Sequence, residues 1–238
     1  MVYQSLTDLK NIARDKMLGH YGTAIGAFLF MRGLIFAGLM ISTYCAGQNT
    51  FLSLFASFAF ILVEGIFVYG ELAIYLKISV GMMPAVADVF SAFRQSGDKA
   101  IKARMVYVFI TYGGIILAAA ITYVLNGIGI ANPLIGLIWL AIGVVCIYLL
   151  VIYSQVMYFM QDFSDINVLE ACRRSRNLMK GNVLSFIWLY VSFIPLYIIG
   201  VLSIIGLYFI HPYMKLTLTE FYLDRVRQTQ TKGFDVSV

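Results

Sequence analysis

Long charge-poor apolar runs alternate with short polar blocks along this chain. Each run is long enough for a helix that crosses a bilayer, which takes about 20 residues. A short amphipathic segment comes first. Residues 5–18 place Leu6, Leu9, Ala13 and Met17 on one helical face and Lys10, Arg14 and Lys16 elsewhere, with Ser5 and Asp8 at the spacing of a capping box. The pattern then predicts spans over about 22–44 and 51–77, divided by the uncharged turn 46–50. A polar block over 80–104 follows, holding Pro84, Asp88, Arg94, Asp98, Lys99, Lys102 and Arg104; within it Val86, Val89, Phe90 and Phe93 share a face and predict a second amphipathic helix. Residues 105–161 contain no Lys, Arg, Asp or Glu. Asn, Gly and Pro at 126–133 punctuate a turn there, giving spans over about 105–125 and 134–160.

A third polar block, 162–181, repeats the capping-box spacing at Asn167 and Glu170 and carries a basic cluster of Arg173, Arg174, Arg176 and Lys180. From Gly181 to Met214 the one ionisable side chain apart from tyrosine is His211. A straight helix of that length would measure about 50 Å against a hydrocarbon core of roughly 30 Å. Two spans turning near Gly200, over about 183–199 and 202–222, fit instead, followed by a tail at 224–238. The expectation is an all-α, polytopic helical membrane protein: six transmembrane helices as three hairpins with cytoplasmic amphipathic helices, in one membrane domain.

Composition agrees with that class. Hydrophobic residues make up 61% and charged residues 12%, and the mean hydropathy is +0.86. No run shows the alternation of a membrane barrel. The net charge of +5 follows from basic residues kept on one side of a membrane, which explains the balance better than nucleic-acid binding. The outer turns carry no Lys or Arg, so both termini are expected in the cytoplasm of a multi-pass protein of the cell membrane. The amphipathic segment 5–18 suits either an interfacial helix on anionic lipid or a helix packed on the cytoplasmic end of the bundle. Cys45, Cys146 and Cys172 fall at depths too different to form disulfides.

Three charges interrupt the first two apolar runs: Arg32, Glu64 and, one heptad later, Glu71. An ionisable residue inside a span is costly and marks a functional site by default. Arg32 lies about 15 Å and Glu64 about 20 Å from the cytoplasmic end, so the pair is expected to meet across neighbouring antiparallel helices, with Glu71 offering Arg32 a second partner. Such a pair either fixes helix register or serves as a proton or cation site. Pro195, His211 and Pro212 form a second candidate, because proline frees carbonyls that broken transporter helices use for coordination; an ordinary kink is the competing reading. His20 and His211 have no metal-ligand spacing, Ser96–Lys99 lacks the companion motifs of a Ser-Lys enzyme, and Asp162 and Asp165 lack a phosphate-transferase pattern. No metal, cofactor or enzymatic activity is expected.

One stretch carries a family likeness. Tyr158-Phe159-Met160, Asp162, Leu169-Glu170-Ala171, Arg174-Ser175, Leu178-Met179-Lys180-Gly181-Asn182, Phe186, Ser192-Phe193-Ile194, Gly206, Pro212-Tyr213 and Phe221-Tyr222 resemble the bacterial integral membrane family called domain of unknown function 975. Asp88-Val89-Phe90-Ser91-Ala92-Phe93 is similar to its middle. Pro195 stands where that family tends to have glycine then tryptophan, and Leu18-Gly19-His20-Tyr21 replaces its usual Lys-Gly-Asn-Trp. The resemblance implies a bacterial cytoplasmic-membrane protein and no biochemical role. A weak internal repeat, residues 13–19 against 175–181, suggests a helix preceding each hairpin. The expected function is transporter-like or that of a permease accessory; the alternative is a non-catalytic scaffold or an immunity protein against a membrane-active toxin. A polar interior cavity would favour the first, and a sealed ion pair the second.

Overall fold

The computed structural model describes residues 5–128, 132–163, 165–203 and 205–231. The expected turn at 126–133 and tail at 224–238 therefore lie partly outside the described residues. The described chain is helical, in the order α1 (Leu6–Met17), α2 (Tyr21–Gln48), α3 (Thr50–Ser79), a 3₁₀ turn (Val86–Phe90), α4 (Ser91–Gln95), α5 (Gly97–Gly127), α6 (Asn132–Ile152), α7 (Val156–Asp162), α8 (Val168–Met179), α9 (Val183–Val191), α10 (Ile194–Ser203) and α11 (Gly206–Thr231). Among the described residues, five stretches are long and apolar enough to cross a membrane: Tyr21–Gly47, Thr50–Ser79, Gly97–Gly127, Pro133–Asp162 and Val183–Ser203. Their length and composition are those of a multi-pass membrane protein. The expected sixth span is helical but falls outside that set, because His211, Pro212, Lys215, Thr217, Thr219 and Glu220 make the segment less apolar than the other five.

The caps follow local chemistry. Ser5 Oγ accepts from the Asp8 amide at 3.1 Å while the Asp8 carboxylate accepts from the Ser5 amide at 2.9 Å, so the capping box of α1 forms. The matching pattern at α8 does not. Asn167 makes no side-chain cap, and Glu170 accepts from Arg174 one turn along at 2.7 Å. Between α2 and α3 the turn narrows to Asn49, whose side chain accepts from the Phe51 amide.

Neighbouring helices pack in sequence: α2 on α3, α5 on α6, and α10 on α11. The well-buried part of the molecule lies at one end. On α3 the buried positions run from Gly65 to Ser79, whereas Phe51, Leu54, Phe55 and Phe58 stand exposed. On α11 they cluster from Leu216 to Val226. Apolar side chains exposed along the rest of these helices are what lipid would cover.

α1 does not leave its apolar face open. Leu9, Ala13 and Met17 are all fully buried, packed with α11 and α3. Tyr213 donates to the Lys10 carbonyl, and Lys16 donates to Glu220 at 2.8 Å and to the Ser79 carbonyl at 2.7 Å. α8 buries Ala171, Ser175 and Met179 in the same register as those three residues of α1. Gly19 after α1 and Gly181 after α8 both hold φ values of the left-handed region, +87° and +78°, which favour glycine. The sequence repeat therefore has a structural counterpart. The polar block after α3 is likewise drawn onto the bundle. Gly70 lies so close to the Val89 carbonyl that a Cβ there would collide with it, and Phe67 packs edge-on against Phe90 and at a tilt against Phe93.

Candidate functional site

Glu64 has a partner, and it is not Arg32. Arg104 on α5 donates from Nη2 to Glu64 Oε2 at 2.7 Å, its aliphatic stem lying over Gly65 of α3. Both side chains are about a fifth exposed, at 23% and 20%. The expected Arg32–Glu64 pair fails because matching depth does not ensure a shared face. Arg32 follows Phe28 by one turn, so the two lie on one side of α2. Phe28 points at α11, with its ring centroid 4.5 Å from that of His211, and the Arg32 guanidinium sits over the Phe28 ring at 4.9 Å. Arg32 forms no ion pair with a described residue.

Glu71 is buried, 5% exposed. Its Oε1 accepts from Tyr75 at 3.3 Å and lies 4.0 Å from His211 Nε2, a contact that becomes an ion pair only when the imidazole is protonated. The other ring nitrogen of His211 is 3.2 Å from the Tyr197 hydroxyl. So Glu71 and His211, expected at separate sites, come together, while Glu71 does not serve Arg32.

Glu71 lines a cavity of about 280 Å³ together with Arg104, Gln155, Lys215 and the tyrosines Tyr75, Tyr107, Tyr158 and Tyr190. Helix geometry explains the polar lining. The fourth apolar stretch breaks at Tyr153–Gln155, between α6 and α7. The carbonyls released there are taken by side chains: Tyr107 donates to those of Tyr153 and Ser154, and Ser175 to that of Ile152. Irregular backbone at such a place is tolerated where protein or a cavity satisfies it. Ser154 and Gln155 both line the cavity. Gln155 is fully buried; its amide nitrogen donates to Ser154 Oγ and its Oε1 has no partner among the described residues. Turning the amide over would leave its other end unpaired. Arg104 Nε is also buried without a partner among the described residues, and the Lys215 ammonium makes no hydrogen bond or ion pair with a described residue. Each unpaired buried polar group costs about 1–3 kcal/mol, so this cluster is unfinished as pure structure.

A second recess, of about 440 Å³, is lined by Arg32, His211, Tyr197, Phe28 and Tyr208. The Glu71–His211 contact thus stands between cavity and recess. Pro212 sits inside α11, which continues through it. Pro195 lies in the first turn of α10, where a missing N–H is tolerated, and the helix interruption falls just before it at Ser192–Phe193. There Lys10 of α1 donates to the Ser192 carbonyl at 3.3 Å and lies over the Phe193 ring. That carbonyl serves α1, and Pro195 lines neither recess.

Residues the pattern did not single out are Arg104, Ser154, Gln155, Lys215 and the four cavity tyrosines. Ser154-Gln155 left a signal, as a polar pair inside an otherwise apolar run.

A model of the family described as "Protein of unknown function (DUF975)" matches residues 1–230 of this chain. No curated protein and no solved structure matches it.

Proposed function

The chain belongs to the DUF975 family, and on that footing we propose that it is a six-span, transporter-like protein of the bacterial cytoplasmic membrane whose interior cavity around Glu71 takes a charged group of its substrate. The observation that carries the reading is the cavity itself: a buried carboxylate, an unpaired Lys215 and a half-satisfied Gln155 at a break in a span. Perturbed, incompletely paired polar groups in a concave site are the usual mark of binding. Glu71 and His211, between the cavity and the Arg32 recess, form a contact whose making and breaking would connect or separate the two. A scaffold or immunity protein has no need of that arrangement.

In this reading α11 is the sixth span. Its polar residues are covered by protein rather than lipid: Thr217, Thr219, Glu220 and Arg225 are buried, and Lys16 pairs with Glu220. Both termini lie in the cytoplasm, where Arg173, Arg176 and Lys180 on the outer side of α8 are placed to meet anionic lipid. No catalytic step is proposed.

The test is thermal unfolding of the purified protein in detergent against a panel of zwitterionic, cationic and anionic compounds, both soluble solutes and short-chain lipids. At about 100 Kd a ligand adds roughly 2.7 kcal/mol, enough to raise the midpoint by several degrees. At least one class should do so for the wild type and not for Glu71→Gln. Equal responses of the two proteins to every class would remove the reading.

A further inference from the structure

Beside the polar cavity lies an apolar groove of about 840 Å³, formed by the end of α6, by α9 and α10, and by Met214. Ile147, Val151, Ile187, Val191, Ile194 and Ile198 line it. Cavity and groove share the lining residues Leu150, Ser154, Phe186 and Tyr190, so the two lie side by side at the helix break. We propose that the substrate is a bilayer phospholipid with a zwitterionic head bearing a primary ammonium, its chain in the groove and its head in the cavity. This rests on the reading of the Glu71 cavity as a binding site.

Three observations select that chemistry. The first is size. About 280 Å³ falls just under the roughly 300–1,000 Å³ of pockets that hold a whole small molecule, so the cavity suits a head while the groove holds the remainder. The second is charge. Arg104 and Glu64 pair with one another, which leaves one acidic side chain, Glu71, and one basic side chain, Lys215, on the same cavity. A phosphate satisfies Lys215 and the free Nε–H of Arg104; a primary ammonium satisfies Glu71 and the free oxygen of Gln155. An anionic head without an amine leaves Glu71 uncompensated, and a cationic amphiphile leaves Lys215 so. The third is continuity. A soluble solute would gain nothing from an apolar groove that shares four lining residues with its site, whereas a lipid whose chain lies in the groove sets its head beside the cavity without leaving the bilayer.

The experiment uses the full chain in mild detergent and native mass spectrometry. Its probes are phosphatidylethanolamine and phosphatidylglycerol of equal chain length, with soluble glycerophosphoethanolamine as competitor. Phosphatidylethanolamine should bind one per protein at least tenfold more tightly than phosphatidylglycerol. Glu71→Gln, which alters the head site, and Val191→Trp, which fills the groove, should each erase that preference. The soluble head should not compete. Lys215→Met and Ile187→Trp replace either variant that does not remain monodisperse. If glycerophosphoethanolamine displaces the lipid and groove variants change nothing, the lipid proposal is overturned and the cavity reading stands. If the two lipids bind alike and Glu71→Gln has no effect on either, the lipid is only annular and the proposal is overturned, while the solute panel decides the cavity reading separately.

Discussion

Arg104 on α5 donates to Glu64 on α3 at 2.7 Å, and beside the Glu71 cavity the buried Nε of the same guanidinium has no partner among the described residues. One side chain thus ties the second apolar span to the third and contributes to the polar interior. Replacing Arg104 by Glu or Glu64 by Arg leaves a like-charge contact. The pair is about a fifth exposed, so each single change should cost between the about 1 kcal/mol of a surface pair and the about 3–5 kcal/mol of a buried one. The double swap should recover part of that loss. Thermal unfolding of the four proteins gives the coupling, and a matching cycle of Arg32 with Glu64 should show none.

Close approach makes a second prediction. A Cβ on Gly70 would strike the backbone carbonyl of Val89, which cannot turn aside as a side chain can. Gly33 has nothing within 4 Å of the same position. Gly70→Ala should therefore destabilise by roughly 1–3 kcal/mol, the scale of overpacking, whereas Gly33→Ala should be neutral or slightly stabilising. Equal unfolding midpoints for the two variants would mean that the Val86–Phe90 turn does not pack on α3.

Much of this architecture was legible beforehand, and its departures have physical causes. Apolar length located five spans, because the bilayer sets that length whatever the residues. Glu71 and His211 were each singled out for being ionisable in apolar runs. Their meeting was not foreseen, since helical spacing states depth and leaves the facing partner open. The charge pattern puts Arg104 in a polar loop, yet α5 starts at Gly97 and carries it two turns into the helix. The break at Tyr153–Gln155 has neither Pro nor Gly. It is stabilised by Tyr107 and Ser175 from other helices, and no local signal reports such long-range bonds. Pro195 suits either a coordinating break or an ordinary kink by its pattern; in the structure it lies in the first turn of α10, just after the interruption at Ser192–Phe193. α1 was equally suited to lipid or protein by its pattern; only the position of α11 shows that protein covers its apolar face.

The Lys77–Asp88 pair, 2.8 Å apart, fastens the 3₁₀ turn to the end of α3. Burial alone would raise the Asp88 carboxyl, but the Ala85 amide and the Lys77 ammonium outweigh it and hold it below the usual carboxylate range. A carboxyl lowered on folding contributes stability that is complete above its unfolded pKa, about 3.9, and is lost as pH falls through the folded value. Lys77 is 39% exposed, so the contribution should be about 1 kcal/mol or less. Unfolding midpoints from pH 7 to pH 3 should fall less for Asp88→Asn than for the wild type. Parallel curves would contradict the tether.

The orientation proposed for the spans is tested with single cysteines in a background lacking Cys45, Cys146 and Cys172. Gly47→Cys and Asn126→Cys, next to turns without Lys or Arg, should react with an impermeant thiol reagent in intact cells. Ser96→Cys and Arg173→Cys should react only after the membrane is opened. Labelling of the second pair in sealed cells would invert the topology.

Whether the interior around Glu71 admits polar groups is measured most directly at Ser154, which lines the cavity at the helix break. In the same cysteine-free background, Ser154→Cys should react with a small cationic methanethiosulfonate much faster than Ala118→Cys, whose position is 1% exposed. Removing the cavity's carboxylate with Glu71→Gln should slow that reaction several-fold and leave the rate at Ala118→Cys unchanged. Equal, slow rates at Ser154→Cys and Ala118→Cys, with or without Glu71, would show a sealed bundle and contradict the account.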